Sequence, residues 1–155
     1  MNNNSAQQLW ERYLTLNPNA PNHYDAWRFG YTKELADELS ELVLSGTKTA
    51  TSSNYSLYEI ENEPLPFVGQ YNIILDGEDI AKSIVVTTFV EVVPYDEVSA
   101  EHAFLEGEGD RSLAYWRDVH EAFFTEELQQ MNHSFNSKMP VVCQRFQIVY
   151  RSDQP

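Results

Sequence analysis

The stretch from Val68 to Val93 limits the fold more than any other part of the chain. Val68 to Leu75 and Ile80 to Val93 are rich in β-branched residues, and Asp76-Gly77-Glu78-Asp79 between them carries the turn signal of a hairpin. Pro94 ends the second, longer strand, because it offers no N–H to a ladder. A third strand is expected from Val141 to Tyr150, where Val142, Phe146, Ile148 and Tyr150 share one side.

Helical spacing surrounds these strands. Ser5 to Leu16 places Leu9, Trp10, Tyr13 and Leu14 on one face, and Asn17-Pro18-Asn19-Ala20-Pro21 stops the helix, which should pack on the outside of the main domain. A second helix is expected over Thr32 to Leu44, with Leu35, Ala36, Leu39, Leu42 and Val43 as its apolar stripe, Thr32 as its cap and Gly46 in a left-handed turn at its end. Ser99 to Leu105 reads as a short helix. Ser112 to Leu128 reads as a longer one that buries Leu113, Trp116, Val119, His120 and Phe123. There is no internal repeat and no convincing linker. The order helix, helix, strands, helices, strand fits an α+β fold, with helices packed around a small mixed barrel. The 155 residues suit one compact domain over 26–155, preceded by a helix and connector over 1–25.

Hydrophobic residues at 42% and charged residues at 22% describe an ordinary soluble globular chain. The net charge of −14, with only ten Lys and Arg, argues against a protein that tracks an extended duplex, because counterion release at a basic face drives such binding. A small basic pocket remains open to it, which favours a nucleoside, a nucleotide or a short exposed RNA segment. The polar start of the chain does not resemble a signal peptide, no stretch approaches a membrane span, and Cys143 stands alone, so a cytoplasmic location away from membranes is expected. Cys143 lies in an apolar run and reads as a buried structural thiol.

Two segments can carry chemistry. Gly46-Thr47-Lys48-Thr49-Ala50-Thr51 reverses the chain directly after a helix and projects Lys48 and Thr51 into whatever cleft lies beside it; a lysine at a helix C-terminus also suits the dipole alone. Glu106-Gly107-Glu108-Gly109-Asp110-Arg111-Ser112 sets acids on a flexible backbone, where they can serve as bases or ligands or as a plain acidic loop. Ser112 suits a helix cap as well as a substrate contact. Trp116 and His120, one turn apart, suit either a base-stacking surface or the core. His102 and Glu106 have the i, i+4 spacing of shared metal ligation, but no third or fourth ligand is identifiable and no metal site is expected. His120-Glu121-Ala122-Phe123-Phe124 lacks the second histidine of a zinc-protease helix, and no phosphate-binding glycine motif or nucleophile elbow occurs.

Taken in order, these segments resemble the ASCH family. Gly46-x-Lys48-x-x-Thr51 is similar to the family's G-x-K-x-x-T signature, and His102-Ala103-Phe104-Leu105-Glu106 is similar to the segment that supplies its acid. A longer bacterial subgroup is resembled most, through Ala26-Trp27-Arg28-Phe29-Gly30, Leu35-Ala36-Asp37-Glu38-Leu39, Glu106 to Leu113 and Trp116-Arg117, over about Trp27 to Tyr150. The resemblance implies a PUA-like fold and an association with RNA. Some members look like amidohydrolases that remove the acetyl group of acetylated cytidine, with Lys, Thr and Glu where this chain has Lys48, Thr51 and Glu106. Others are described as ribonucleases. The short amidohydrolase-type members carry an arginine soon after the threonine, whereas this chain reads Thr51-Ser52-Ser53-Asn54, which changes what the pocket can pair with.

The amidohydrolase reading implied by the resemblance makes Glu106 the general base on water or on Thr51 and Lys48 the oxyanion stabiliser, without a cofactor. Around this catalytic set, Gly46, Arg111 and Ser112 would border the ligand, with Arg111 on a phosphate or carbonyl, and Trp27 or Trp116 would stack on the base. A ribonuclease would use Glu106 on a ribose hydroxyl and Lys48 on the phosphate, with divalent metal an option. A non-enzymatic binding module would keep Lys48 and Glu106 as a buried ion pair that shapes the pocket. In each case Lys48, Thr51 and Glu106 should meet at one cleft, with Lys48, Arg111 and Arg117 forming a local positive island.

Overall fold

Tyr71–Leu75 (β3) and Ala81–Pro94 (β4) form the antiparallel hairpin expected from their composition, and they occupy the middle of a five-stranded sheet. The computed structural model describes residues 4–154; Met1 to Asn3 and Pro155 lie outside the described residues. Pro140–Arg151 (β5) runs antiparallel along nearly the whole of β4, and Ala50–Asn54 (β2) pairs antiparallel with β5. Asp25–Arg28 (β1) adds to β3 in parallel, giving the order β1-β3-β4-β5-β2. Register shifts on β4 after Ile84 and between Thr87 and Phe89 accompany the bend of the sheet, which curls into a mixed half-barrel with helices around it. The α+β architecture is thus the expected one.

The helices are Asn4–Leu16 (α1), Lys33–Leu44 (α2), Tyr55–Ile60 (α3), Ala100–Glu106 (α4) and Leu113–Gln130 (α5). Their starts follow local chemistry. Thr32, Ser99 and Ser112 sit in extended backbone, and each accepts a hydrogen bond from the N–H three residues on, as an N-cap must. At the end of α2, Gly46 takes φ 81, and Thr47 and Lys48 both donate to the carbonyl of Leu42.

Three apolar clusters hold the layers together. Helix α2 places Leu39 and Val43 against Ile74, Val85 and Phe146 at the sheet centre. Helices α4 and α5 meet β5 through Ala103, Trp116, Phe124 and Val141. At the far end, α1 packs Ala6, Leu9, Trp10 and Tyr13 onto Ile73, Ile84 and Tyr150, with Trp10 and Tyr13 both against the Tyr71 ring. Removing Trp10 empties the largest part of that contact. Trp10→Ala should cost about 3 to 5 kcal/mol in urea unfolding, and a value near zero would show that α1 is dispensable to the core.

The sequence reading and the structure differ at three places. On α5 the buried residues are Trp116, His120, Phe124 and Leu128, whereas Val119 and Phe123 border a cavity and Leu113 is only partly buried. The first central strand starts at Tyr71 rather than Val68, because Gly69 adopts φ 95 and turns the chain before the ladder begins. Strand β2 and helix α3 were not expected, since Thr51-Ser52-Ser53 has neither apolar alternation nor a helical stripe; Asn54 caps α3 through its side chain.

Candidate active site

The sharp turn after α2 and the end of α4 are forced together by glycine. Gly107 caps α4 at φ 73, and a Cβ there would lie 2.4 Å from the carbonyl oxygen of Thr47 and 3.1 Å from Lys48 Cα. Thr49 N donates to Leu105 O across the same junction at 2.8 Å. The lysine and the glutamate, 58 residues apart in sequence, are therefore set side by side by backbone contacts before any side-chain attraction acts.

Lys48 is 1% exposed and its ammonium is enclosed by acceptors. Nζ donates to Ala50 O at 2.9 Å and Glu108 Oε2 at 2.7 Å, with Glu106 O at 3.4 Å and Glu106 Oε1 at 3.5 Å. The Phe29 ring faces it at 5.0 Å. Glu106, 2% exposed, is surrounded by donors in turn. Its Oε2 accepts from Trp116 Nε1 at 2.7 Å and from the Ser52 hydroxyl, and His102 Nε2 lies 3.2 Å away; Oε1 faces Lys48 and, at 3.7 Å, His120 Nε2. Burial opposes the charge on Glu106, but Lys48, His120 and His102 outweigh it and hold the carboxyl well below the usual carboxylate range.

The two histidines have different proton arrangements. His102 Nδ1 is buried without a partner, and a buried N–H is rarely orphaned, so we assign its proton to Nε2, pointing at Glu106 and Ser52. In that state His102 cannot take a proton from Ser52. His120 Nδ1 lies 2.9 Å from the carbonyl of Trp116 and must be the donor there, which leaves Nε2 facing Glu106 Oε1 at 3.7 Å. Its ring stacks on Trp116 with centroids 4.3 Å apart.

This cluster closes one end of a cavity of about 650 Å³ between the sheet, α2 and α5. Trp27, Phe29, Tyr58, Phe67 and Phe123 give it aromatic walls, and Thr51, Ser52, Ser53, Asn72 and Gln144 give it polar atoms. The polar side is held in place by a chain across the sheet: Trp27 Nε1 donates to Asn72 Oδ1, Asn72 Nδ2 to Thr87 Oγ1, and Thr87 Oγ1 to Gln144 Oε1. Among its charged lining groups, Asp25, Glu63, Glu106, Glu108 and Glu127 face a single arginine, Arg28.

The residues singled out from sequence fall into two sets. Thr51, Glu106 and Trp27 line the cavity, and Lys48 lies directly behind Glu106 and Glu108. Trp116 supports Glu106 from below. Gly46, Arg111 and Ser112 are not among the lining residues. Gly46 makes the turn after α2, Ser112 caps α5, and Arg111 lies over the Phe104 ring at 3.7 Å while donating to Phe104 O and Thr47 O. Lys48, Arg111 and Arg117 make no common positive surface, since Lys48 is buried and Arg117 donates to Asp96 O. Cys143 is buried, and burial with the nearby Glu106 charge pushes its thiol up to about 12. Sequence reasoning missed Ser52, Asn72, Gln144 and Glu127. Nothing local in the sequence marked any of the four.

Among the described residues, no group of three or more His, Cys, Asp or Glu side chains could hold a metal ion, and no helix is long and apolar enough to cross a membrane.

Comparison with known proteins identifies the family of the fold. The ASCH domain model matches residues 25–150. The crystal structure of protein EF3133 from Enterococcus faecalis V583 is similar with 38% identity and a TM-score of 0.89, over 96% of this chain and 90% of that one. The ASCH domain structure from Lactobacillus crispatus JV V101 is similar with 29% identity and a TM-score of 0.90, over 96% of each chain. No curated protein matches. Matched over most of its length, with the G-x-K-x-x-T lysine and the α4 glutamate meeting at one buried cluster, this chain belongs to the ASCH domain family.

Proposed function

We propose that the cavity binds one nucleoside, free or exposed in a short RNA, and that the cluster at its end hydrolyses an exocyclic amide such as the acetyl group of acetylated cytidine. The observation that carries this reading is the pairing of an aromatic-walled cavity, roomy enough for a nucleoside, with a buried lysine–carboxylate cluster at one end. Aromatic walls accept any base face, and fixed polar groups such as Asn72, Gln144 and Thr51 supply orientation.

In the proposed reaction Lys48 turns toward the substrate oxygen, which weakens its hold on Glu106 and makes the carboxylate more basic; Glu106 then takes a proton from water, whose oxygen attacks the acyl carbon. The C–N bond then breaks as a proton passes to the exocyclic nitrogen, with His120 Nε2 beside Glu106 able to relay it. Acetate and the free amine leave. Lys48 provides the positive charge at the cluster, and a substrate oxygen reaches Nζ by replacing the Glu108 carboxylate, which lines the cavity between flexible glycines. Chain cleavage is the weaker reading, because phosphate would have to enter a lining with five acids and one arginine.

The test is incubation with acetylated cytidine and with a labelled RNA pool, with and without divalent metal. Release of cytidine and acetate, lost in Lys48→Met, is the expected result. Cleaved RNA would establish the ribonuclease reading instead, and tight binding without turnover would make the domain a binding module.

A further inference from the structure

Helix α5 extends the cavity wall beyond the reacting cluster. His120, Phe123 and Glu127 return to one face of the helix, and all three line the cavity. His120 touches Glu106, so seven residues further on Glu127 stands about 10 Å along the helix from the cluster. Phe123 lies between them. That span suits a single base with its exocyclic substituent held at both ends. Glu127 also ends in an incomplete polar contact: its Oε1 and the Asn54 Nδ2 are both buried, and neither completes a hydrogen bond. Asn54 is 1% exposed, and its side-chain oxygen is already used to cap α3.

We infer that Glu127 reads the Watson–Crick edge of the bound base and selects edges that set a ring-nitrogen acceptor beside an exocyclic N–H, as cytosine and adenine do. This rests on the nucleoside reading above and adds the base class to it. The protonation state of the carboxyl decides which edge it fits. Burial raises it most, Glu61 raises it further, and Tyr31 and Asn54 beside it favour the charge without prevailing, so it is pushed up to about 7. Tyr58 on α3 also faces it. A neutral carboxyl donates one O–H and accepts at its other oxygen, which matches N3 and the N4–H of cytosine, acetylated or not. An ionised carboxylate only accepts, which matches the paired N–H groups of guanine.

The experiment is calorimetric titration of the full chain with cytidine, acetylated cytidine and guanosine at pH 6 and pH 8, for wild type, Glu127→Gln and Glu127→Ala. The glutamine amide presents one donor and one acceptor at every pH, so it imitates the neutral acid. Wild-type affinity for cytidine should fall about tenfold from pH 6 to pH 8, as the donor is lost. Glu127→Gln should keep the pH 6 affinity and lose the pH dependence. Glu127→Ala should bind about tenfold or more weakly at pH 6. His120 and His23 line the same cavity, so the difference between wild type and Glu127→Gln is what assigns the effect. A folding control comes with the sign of the shift. Since the folded value lies above the ordinary 4.5, wild type loses stability as pH rises from about 4.5 to 7, and Glu127→Gln should melt higher at pH 8 but not at pH 4.5 or below. Cytidine binding unchanged in Glu127→Ala, or a glutamine variant as weak as the alanine one, overturns the inference while leaving the nucleoside reading intact. A wild type that binds none of the three nucleosides overturns both.

Discussion

Glu106→Gln should lower turnover of an acylated nucleoside by about 100-fold or more and, in the same molecule, reduce stability by about 3 kcal/mol or more. The substitution preserves size but not hydrogen bonding. Four groups point donors at the carboxylate: the Ser52 hydroxyl, Trp116 Nε1, Lys48 Nζ and the His102 Nε2 proton. A glutamine amide has one oxygen and one NH2, so in either orientation its N–H groups meet donors. With Oε2 kept as the acceptor for Trp116 and Ser52, the NH2 faces the Lys48 ammonium; flipped, it faces Trp116. The damage is therefore larger than that of removing a surface charge, and Lys48 is left with Glu108 as its one carboxylate partner. Dependence on pH gives an independent check. Because the folded value for Glu106 lies below the ordinary 4.5, its stabilisation is present above about pH 4.5 and is lost as pH falls further, so wild type should show an acid-labile slope that the glutamine variant lacks. Melting temperature across pH and product formation, read on the same samples, test both effects. Near-normal turnover with an unchanged melt would remove Glu106 from both roles and move the general base to Glu108.

How far this site could be read from sequence depended on what kind of signal each residue carried. Lys48 and Glu106 stood in short segments whose glycines have a geometric purpose, since Gly46 turns the chain at φ 81 and Gly107 lets α4 approach the Thr47 backbone. Such constraints are local and leave a trace in the sequence. The hairpin of β3 and β4, the caps at Thr32 and Ser112, and the stripe of α2 were legible for the same reason. Ser52 was not, because its role arises from the pairing of β2 with β5, which aims it at a residue 54 positions away. Arg111 shows the opposite case. A charged residue in a glycine-rich loop looks available for a ligand, yet its guanidinium is used within the protein, over Phe104 and on two carbonyls. The acidic lining illustrates what net charge alone conveys. At −14 the chain argued against extended nucleic acid, but which acids converge on one cavity is a property of tertiary packing.

The buried pair itself can be separated from the function it serves. Lys48→Met removes the one cation that, among the described residues, contacts both Glu106 and Glu108, and urea unfolding should show a loss of about 3 to 5 kcal/mol, because Glu106 stays charged and enclosed. Glu106→Leu should cost a similar amount, because Trp116 Nε1, Ser52 and His102 Nε2 lose their acceptor and Lys48 keeps only Glu108 as a carboxylate partner. If the two losses were independent, the double variant would lose their sum, about 6 to 10 kcal/mol, and would not fold at ordinary stabilities. Removing both charges together leaves neither one stranded, and methionine and leucine fill comparable volume, so the double variant should remain folded. Its residual deficit has an identifiable source: Trp116 Nε1 and Ser52 lose their acceptor, and an unsatisfied buried donor costs about 1 to 3 kcal/mol. Adding Trp116→Phe removes the larger of these orphans and should recover most of the remainder. Glu108, 17% exposed, can turn its carboxylate toward solvent and adds little to the deficit. Turnover should be absent from all of these variants, so stability returns while activity does not. Additive losses in the double variant would mean that Lys48 and Glu106 are not coupled across their 3.5 Å contact, and a refolded double variant that still releases cytidine would place the chemistry outside this cluster.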